Sequence, residues 1–503
     1  MITVVSSTLR FFKLIFFIIT YRLDKLILPS GSTDKKNLAK LNECLEKMGP
    51  IFIKLGQLAS TRKDMLGEDV TLKLSALKDQ ASSFDSKAAI QIIEKNIKAN
   101  INTVFSEFNE TPIGSASVAQ VHTAKLHTGE EIVIKLLRPG ITKTIKQDLN
   151  IAKILAKISS FFSKRARKLK LLQFVMEFEN SILQELNLKR EAVNAIQLKR
   201  TLSELSFVKI PKIYLNHSYT NMLVMERMHG VNISNIKLLE SDNVNLKLLA
   251  ERVTELLFSS AFKHGIFQAD MHSGNILVDP SNPQSPNIIL LDFGIIGTLN
   301  YTDQKYLTEN FAALFKKDYH KVAELHVKSN WLKEDVNLDH FANEIRVIYE
   351  PLSEIPLEHL SIANSLMELI KVAKKFSINL QPQFLLLQKS MYQIEGIVRQ
   401  LEPNINLVEI SKPILNNWLK SKVSYKTAIQ EIHAKLPFWI EKLPGLPEEL
   451  HETIIEIKKI NRTLEDSKKN SVSRYIINYL ASAIIGFLIA ILLILIFQYT
   501  CIV

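Results

Sequence analysis

The apolar residues of this 503-residue chain are spaced unevenly, and the spacing changes character several times. From Asn37 to Ile101 they recur three and four positions apart with few turn signals, which predicts amphipathic helices. Residues 111–139 switch to short β-type runs, 117–126 and 130–137, on either side of His127-Thr128-Gly129-Glu130, and predict a hairpin. Helical spacing returns as one long helix over roughly Leu171–Leu202, and two more strands are expected around Ile213 and over Met222–Met228. From Asn245 onward helices dominate, broken by one strand pair, Asn275–Asp279 and Asn287–Asp292. No internal repeat with a period of roughly 20–50 residues is present. Hairpin, long helix, strands and then a helical half with its own short hairpin make a two-lobed α+β arrangement, whose ligand site is expected between the lobes.

The two ends carry the densest apolar runs. Asn478 to Gln498 is 21 residues without a charge. About 20 apolar residues rising 1.5 Å each cross a hydrocarbon core of about 30 Å, so a membrane helix is expected here. Lys468, Lys469 and Arg474 precede it and no charged side chain follows, which places the bulk of the chain on the cytoplasmic side. Leu9–Tyr21 is also apolar, bracketed by Arg10, Lys13, Arg22 and Lys25, but too short to span. It is expected to be an interfacial or packing helix, and no small-residue cleavage site follows it.

Composition narrows the partners. Sixty-three Lys and Arg against 51 Asp and Glu give a net charge of +12, which suits an anionic partner: nucleic acid, nucleotide or lipid. The uncharged tail favours lipid and nucleotide over nucleic acid, and the basic run 164–170 is either a lipid contact or a solvated loop. Two cysteines, Cys44 and Cys501, exclude a disulfide scaffold and a Cys-based metal centre.

Three segments carry chemistry. Asp270-Met271-His272-Ser273-Gly274-Asn275 places an Asp and an Asn five apart, immediately before a strand. The Asp can orient an attacking hydroxyl or water while the Asn amide oxygen reaches a phosphate-bound metal. Asp292-Phe293-Gly294 ends the next strand, and its Asp would hold Mg²⁺ together with Asn275, a hard-oxygen pair suited to a cation that keeps water and phosphate ligands. Val133-Ile134-Lys135 lies in the second strand of the hairpin, where a phosphate-holding Lys belongs in a kinase-like fold. Buried there, Lys135 needs a carboxylate partner, with Glu185 and Glu191 both eligible. Met225-Glu226-Arg227 fits the link between lobes, whose backbone would hold adenine.

These residues and three further segments resemble the UbiB family of atypical kinase-like proteins over roughly residues 35–400. Lys54-Leu55-Gly56-Gln57 matches that family's KxGQ signature, and residues 112–122 match its Ala-rich nucleotide loop. Residues 185–194 match its ExD…REA segment, and the catalytic loop resembles HADPHPGN. The chain departs from these patterns at Asn187, in place of the Asp of ExD, and at Gly114 and Ser115, in place of two alanines that would make the loop tip stiffer. In the catalytic loop Gln268, Met271 and Ser273 replace His, Pro and Pro. One clear spanning segment stands where members often have two.

The resemblance implies a division into a membrane-near segment (1–28), a helical extension with KxGQ (29–110), an N-lobe (111–228), a helical C-lobe (229–430), a helical linker (431–474) and a membrane anchor (475–503). It implies ATP and Mg²⁺ as cofactors. Loop residues Ala116, Ser117, Val118 and Ala119, with Lys135 and Glu226, would hold nucleotide, and Asp270 and Lys135 would serve catalysis. Asn275 and Asp292 would hold the metal, with Lys54, Gly56, Gln57, Glu185 and Glu191 in support. The implied setting is ubiquinone biosynthesis at the bacterial inner membrane, with the lipid membrane, polyprenylphenol lipids and other ubiquinone-biosynthesis enzymes as partners and no nucleic acid. No A-P-E element follows Gly294, so ATP hydrolysis is favoured over protein phosphorylation. A small-molecule or lipid phosphotransferase and a catalytically silent nucleotide-binding scaffold are the alternatives. Neither a flavin fingerprint nor a 2-His-1-carboxylate cluster is visible, which leaves a ring hydroxylase without a site. The helices after Asn300 are expected to serve core packing.

Overall fold

A computed structural model describes residues 40–60, 68–75, 77, 82–162, 167, 170–328, 337–352, 361–376 and 381–423, with Arg10, Thr20 and Ile455. The apolar runs expected to meet a membrane, 9–21 and 478–498, therefore lie outside the described residues apart from Arg10 and Thr20. Among the described residues, no helix is long and apolar enough to cross a membrane.

Among the described residues, the extension forms four helices: α1 (Leu41–Met48), α2 (Pro50–Ser60), α3 (Glu68–Ser75) and α4 (Ser86–Ile97). A five-stranded antiparallel sheet follows, built from β1 (Phe105–Phe108), β2 (Gly114–Ser115), β3 (Ala119–Leu126), β4 (Glu131–Leu137) and β6 (Met222–Glu226). The hairpin expected around Gly129 is β3–β4, with Val121 opposite Lys135. Gly129 has φ +90°, a turn conformation that costs a side-chain-bearing residue energy.

Period-2 alternation in β4 buries both faces of this sheet. Ile132, Ile134 and Leu136 pack with Ile93 of α4, Phe105, Met222 and Val224. Val133 and Leu137 turn the other way, into one apolar cluster with Val118, Ala119, α1, α2 and the helices that follow β4. Lys135 is on that second face, so the extension and the cleft lysine share one side of the sheet.

Three helices then cover it: α5 (Ile141–Phe162), α6 (Leu171–Glu185) and α7 (Leu188–Thr201). The sequence pattern led to a single helix over 171–202. The chain instead breaks at Leu186–Asn187, where the Asn187 side chain accepts from the Arg190 N–H at 3.2 Å and caps α7. Periodicity runs through such a break because the apolar face continues across it, whereas a capping Asn is the local signal of a new start. The 22-residue α5 was not foreseen.

Beyond this lie β5 (Val208–Lys209), β7 (Val231–Asn232), β8 (Ile266–Gln268), β9 (Ile276–Asp279), β10 (Asn287–Leu290) and β11 (Ile296–Thr298). The expected pair is β9–β10, antiparallel, flanked by β5 and β7, while β8 and β11 form a second small ladder. Helices α8 (Ile236–Ser241), α9 (Leu246–Phe258), α10 (Tyr301–Phe315), α11 (Tyr319–Lys328), α12 (Leu338–Leu352), α13 (Ile362–Lys375), α14 (Pro382–Leu401) and α15 (Leu407–Val423) complete the lobe. Its core joins α9, α10, α13 and α14 to the strands beneath the catalytic loop.

Gly56 on α2 shows why KxGQ needs a glycine. A Cβ there would lie 2.5 Å from Leu77 Cδ1 and 2.9 Å from Leu45 Cδ1, so α2 approaches its neighbours more closely than an alanine allows. Cys44 is buried beneath the same helices, and burial pushes its thiol up to about 11, which keeps it inert. We expect Gly56→Val to destabilise the chain by about 1–3 kcal/mol, the usual cost of overpacking. Thermal unfolding checks this, and a midpoint equal to that of the parent chain would contradict the close packing.

Candidate nucleotide and metal site

Lys135 enters the cleft from β4 and meets two carboxylates. Its Nζ donates to Glu191 Oε1 at 2.8 Å and Oε2 at 2.9 Å, and to Asp292 Oδ2 at 3.0 Å. The partner left open by spacing is therefore Glu191, in the first turn of α7. Glu185, at the end of α6, faces Lys54 of the KxGQ signature, with 3.3 Å between Nζ and Oε2. The helix break at Asn187 is what points these two glutamates at different lysines.

The charges tune one another. Burial opposes the charge on Lys135, but Asp292 and Glu191 outweigh it and hold its pKa above the usual lysine range. Burial and the neighbouring Asp292 raise Glu191 to about 7 against the pull of Lys135 and the Phe293 amide. Asp292 moves the opposite way: although burial resists, Lys135, the Gly294 N–H at 2.9 Å and the charge of Lys54 bring it down to about 2. Asp292 is thus the more acidic of the two carboxylates, and the charge of the KxGQ lysine contributes to that.

Helix α7 also grips the peptide after Asp292. Asn194 Nδ2 donates to Phe293 O at 2.9 Å, and the Phe293 ring is wholly buried. From below, Gln268 of β8 donates its Nε2 to Asp292 O, so the residue that replaces a histidine of the family pattern ties the two strands together.

In the catalytic loop, Asn275 Nδ2 donates to Asp270 O at 3.0 Å, leaving its Oδ1 for a cation. Asn232 Nδ2 holds Ser273 O at 3.1 Å. His272 Nδ1 accepts from the Gly274 N–H at 3.1 Å, and its Nε2 stands 4.0 Å from Asp270 Oδ2. The Asp270 carboxylate is met from α14, by Lys389 Nζ at 2.8 Å and Gln393 Nε2 at 3.1 Å, both on Oδ1. Burial would raise Asp270, but the charges of Lys389 and His272 hold it below the ordinary carboxylate value.

The Ala-rich loop is pinned by Arg138. Its guanidinium donates to Ala116 O at 3.0 and 2.9 Å, to Ser115 Oγ at 2.9 Å and to Ser82 O at 2.6 Å. The Ala116 N–H closes a turn onto Ala119 O at 2.8 Å, and Ser117, Val118 and Ala119 are buried. Gly114 pairs with Val121 within β2–β3, so the substitution expected to loosen the tip lies in a strand. Glu226 accepts from the Lys212 N–H at 2.9 Å and returns its own N–H to Lys212 O at 2.8 Å. Gln57 donates to Leu77 O at 3.2 Å, a tie within the extension.

The structure thus brings Lys135, Glu191, Asp292 and Lys54 into one charged cluster and places Asn275 on the Asp270 backbone. Sequence reading passed over Arg138, Lys389 and Gln393. No local pattern singles out the last two: they stand one turn apart in a helix whose polar positions also include Ser390 and Glu395.

Residues 76–326 match the ABC1 atypical kinase-like domain family, and residues 345–406 match the UbiB helical domain. A "Probable protein kinase UbiB" of Aeromonas hydrophila is 41% identical over 457 residues, covering 89% of this chain and 84% of the relative. Its namesake in Photobacterium profundum is 41% identical over 433 residues, covering 86% and 79%. The chain belongs to the UbiB family. Its fold is accordingly kinase-like, mixed helix and sheet, and the UbiB helical domain contains α14, which carries Lys389 and Gln393. Family membership implies a role in ubiquinone biosynthesis.

The site offers a metal two oxygen groups, Asp292 and Asn275, and among the described residues no cluster of three or more His, Cys, Asp or Glu could hold one by itself. That donor set fits Mg²⁺ carried on phosphate oxygens, since Mg²⁺ keeps water and phosphate ligands in preference to an all-protein cage.

If Glu191 is the partner of Lys135, Lys135→Met and Glu191→Gln should be non-additive in thermal unfolding, with a coupling of about 0.5–3 kcal/mol. Lys135→Met and Glu185→Gln should add. Coupling in the second pair but not the first would reverse the assignment.

Proposed function

We propose that this UbiB-family chain is a Mg-ATP-dependent ATPase that supports the modification of polyprenylphenol intermediates in ubiquinone biosynthesis, held at the bacterial inner membrane by its apolar C-terminal segment. The observation that carries the reading is Lys135 held between Glu191 and Asp292. A lysine fixed by a helix glutamate, facing an ionised Asp at the start of a D-F-G, is arranged to bind phosphate and metal together.

Within that reading, Asp292 and the Asn275 Oδ1 would hold the metal, which would supply positive charge to offset that of the phosphates. Lys135 would meet phosphate oxygens with its ammonium while Glu191, bonded to Nζ through both oxygens, keeps it in place. Asp270, held ionised, orients the attacking water. It is a weak base, adequate for a loose phosphoryl-transfer transition state that asks for positioning more than proton abstraction.

Hydrolysis is favoured over protein phosphorylation by the burial of Val118 and Ala119 in one apolar cluster with α1 and α2. The extension thus packs directly against the loop expected to hold nucleotide. The net charge of +12 and the basic flank before the uncharged tail suit an anionic leaflet as the setting.

Two outcomes follow. Asp292→Asn and Lys135→Met should each abolish Mg²⁺-dependent nucleotide binding, read with a fluorescent ATP analogue, and fail to restore ubiquinone in a bacterial strain lacking its own copy. Restored ubiquinone with either variant would favour a scaffold. In a full-chain ATPase assay, anionic vesicles and a prenylated phenol analogue should each raise turnover, whereas transfer of labelled γ-phosphate to extracted lipid would favour a phosphotransferase.

A further inference from the structure

We propose that Lys389 and Gln393 are positioning residues for Asp270, so that the helical domain following the kinase-like one completes the catalytic constellation. The inference rests on the nucleotide reading above and extends it to a helix that packing alone would explain.

The catalytic loop does not hold its own Asp. Asn275 spends its amide on the Asp270 backbone oxygen. His272 points Nδ1 at the Gly274 N–H and keeps Nε2 at 4.0 Å from Asp270 Oδ2, too far for a hydrogen bond. Among the described residues, the hydrogen bonds on the carboxylate come from Lys389 at 2.8 Å and Gln393 at 3.1 Å. Both reach Oδ1, which fixes the carboxylate plane and leaves Oδ2 to meet a nucleophile.

Helix α14 is a rigid platform for that task. Phe384, Leu387, Met391, Ile394 and Val398 bury one face in the lobe core. Ser390 Oγ donates to Gln268 O at 3.2 Å, fixing the helix in register against the strand that leads to Asp270. Lys389 and Gln393, four residues apart, stand on the flank of this face and point the same way. Each keeps its donor in the cleft because Ser390 and Met391 keep the helix from turning.

Charge supplies a second reason. Asp270 and Asp292 both face the place where phosphate would bind, and the charge of an unbalanced Asp270 would be felt most when the attacking water closes on the phosphate in the transition state, which makes its neutralisation a kcat effect. The ammonium of Lys389, with 32% of its side chain exposed beside an Asp270 with 30%, offsets that charge without entering the metal's donor set.

The alternative is an ion pair that merely staples α14 to the loop. Kinetics on the full chain separate the two. Lys389→Met should lower kcat about 10–100-fold, with KM for Mg-ATP and the affinity for a fluorescent ATP analogue within about twofold. Lys389→Arg should recover most of the loss, and Gln393→Leu should cost about threefold to tenfold. Unfolding of Lys389→Met should stay within a few degrees of the parent. An unchanged kcat, a loss confined to KM, or an arginine variant no better than methionine would overturn the proposal. If the parent chain binds Mg-ATP but turns none over, the ATPase reading fails. Positioning is then scored by a thermal-unfolding cycle of Lys389→Met with Asp270→Asn, and strict additivity overturns it.

Discussion

Everything around the cleft is organised by one half-buried cation. Lys135 draws β4, α7 and the D-F-G segment at Asp292 to a single point, because an ammonium largely withdrawn from water is stable where carboxylates surround it. The two acids are not equivalent. Glu191 is nearly inaccessible and gives up part of its acidity, while Asp292, partly open and supported by the Gly294 amide, remains a full anion. The difference between them is one of depth.

Around that point, three separate devices hold parts that must not drift. Arg138 ties down the Ala-rich loop through its carbonyls, so the loop's shape comes from a guanidinium and not from glycine torsions. Lys54 reaches from the extension to Glu185 and lends its field to Asp292, so the KxGQ segment is electrically part of the cleft as well as packed over it. On the opposite side, α14 reaches the catalytic loop. Two bonds that cross from one lobe to the other, Lys135–Asp292 and Asn194–Phe293, are made by a charged and an amide side chain.

Much of this was legible from sequence, for reasons that differ by element. The β3–β4 hairpin and β9–β10 were readable because alternation and a glycine turn are local signals, and the placement of Asp270, Asn275 and Asp292 at the ends of the second pair followed from it. The choice between Glu185 and Glu191 was not readable, since it depends on a helix break that apolar periodicity hides; Asn187 stands out in the sequence as a departure from the family pattern, and only the fold shows it to be a cap. Lys389 was out of reach for a different reason. It lies 119 positions from Asp270, and no local pattern links residues that meet only after two layers of helix have packed.

The Asn194–Phe293 bond has a consequence for chemical inhibition. The helix that presents Glu191 to Lys135 also holds the carbonyl of the buried phenylalanine. Compounds that act by expelling this aromatic ring and occupying its vacated hole would have to give up the Asn194–Phe293 bond and the ring's burial together. Their affinity would carry that cost, whereas ligands content with the outer cleft would not.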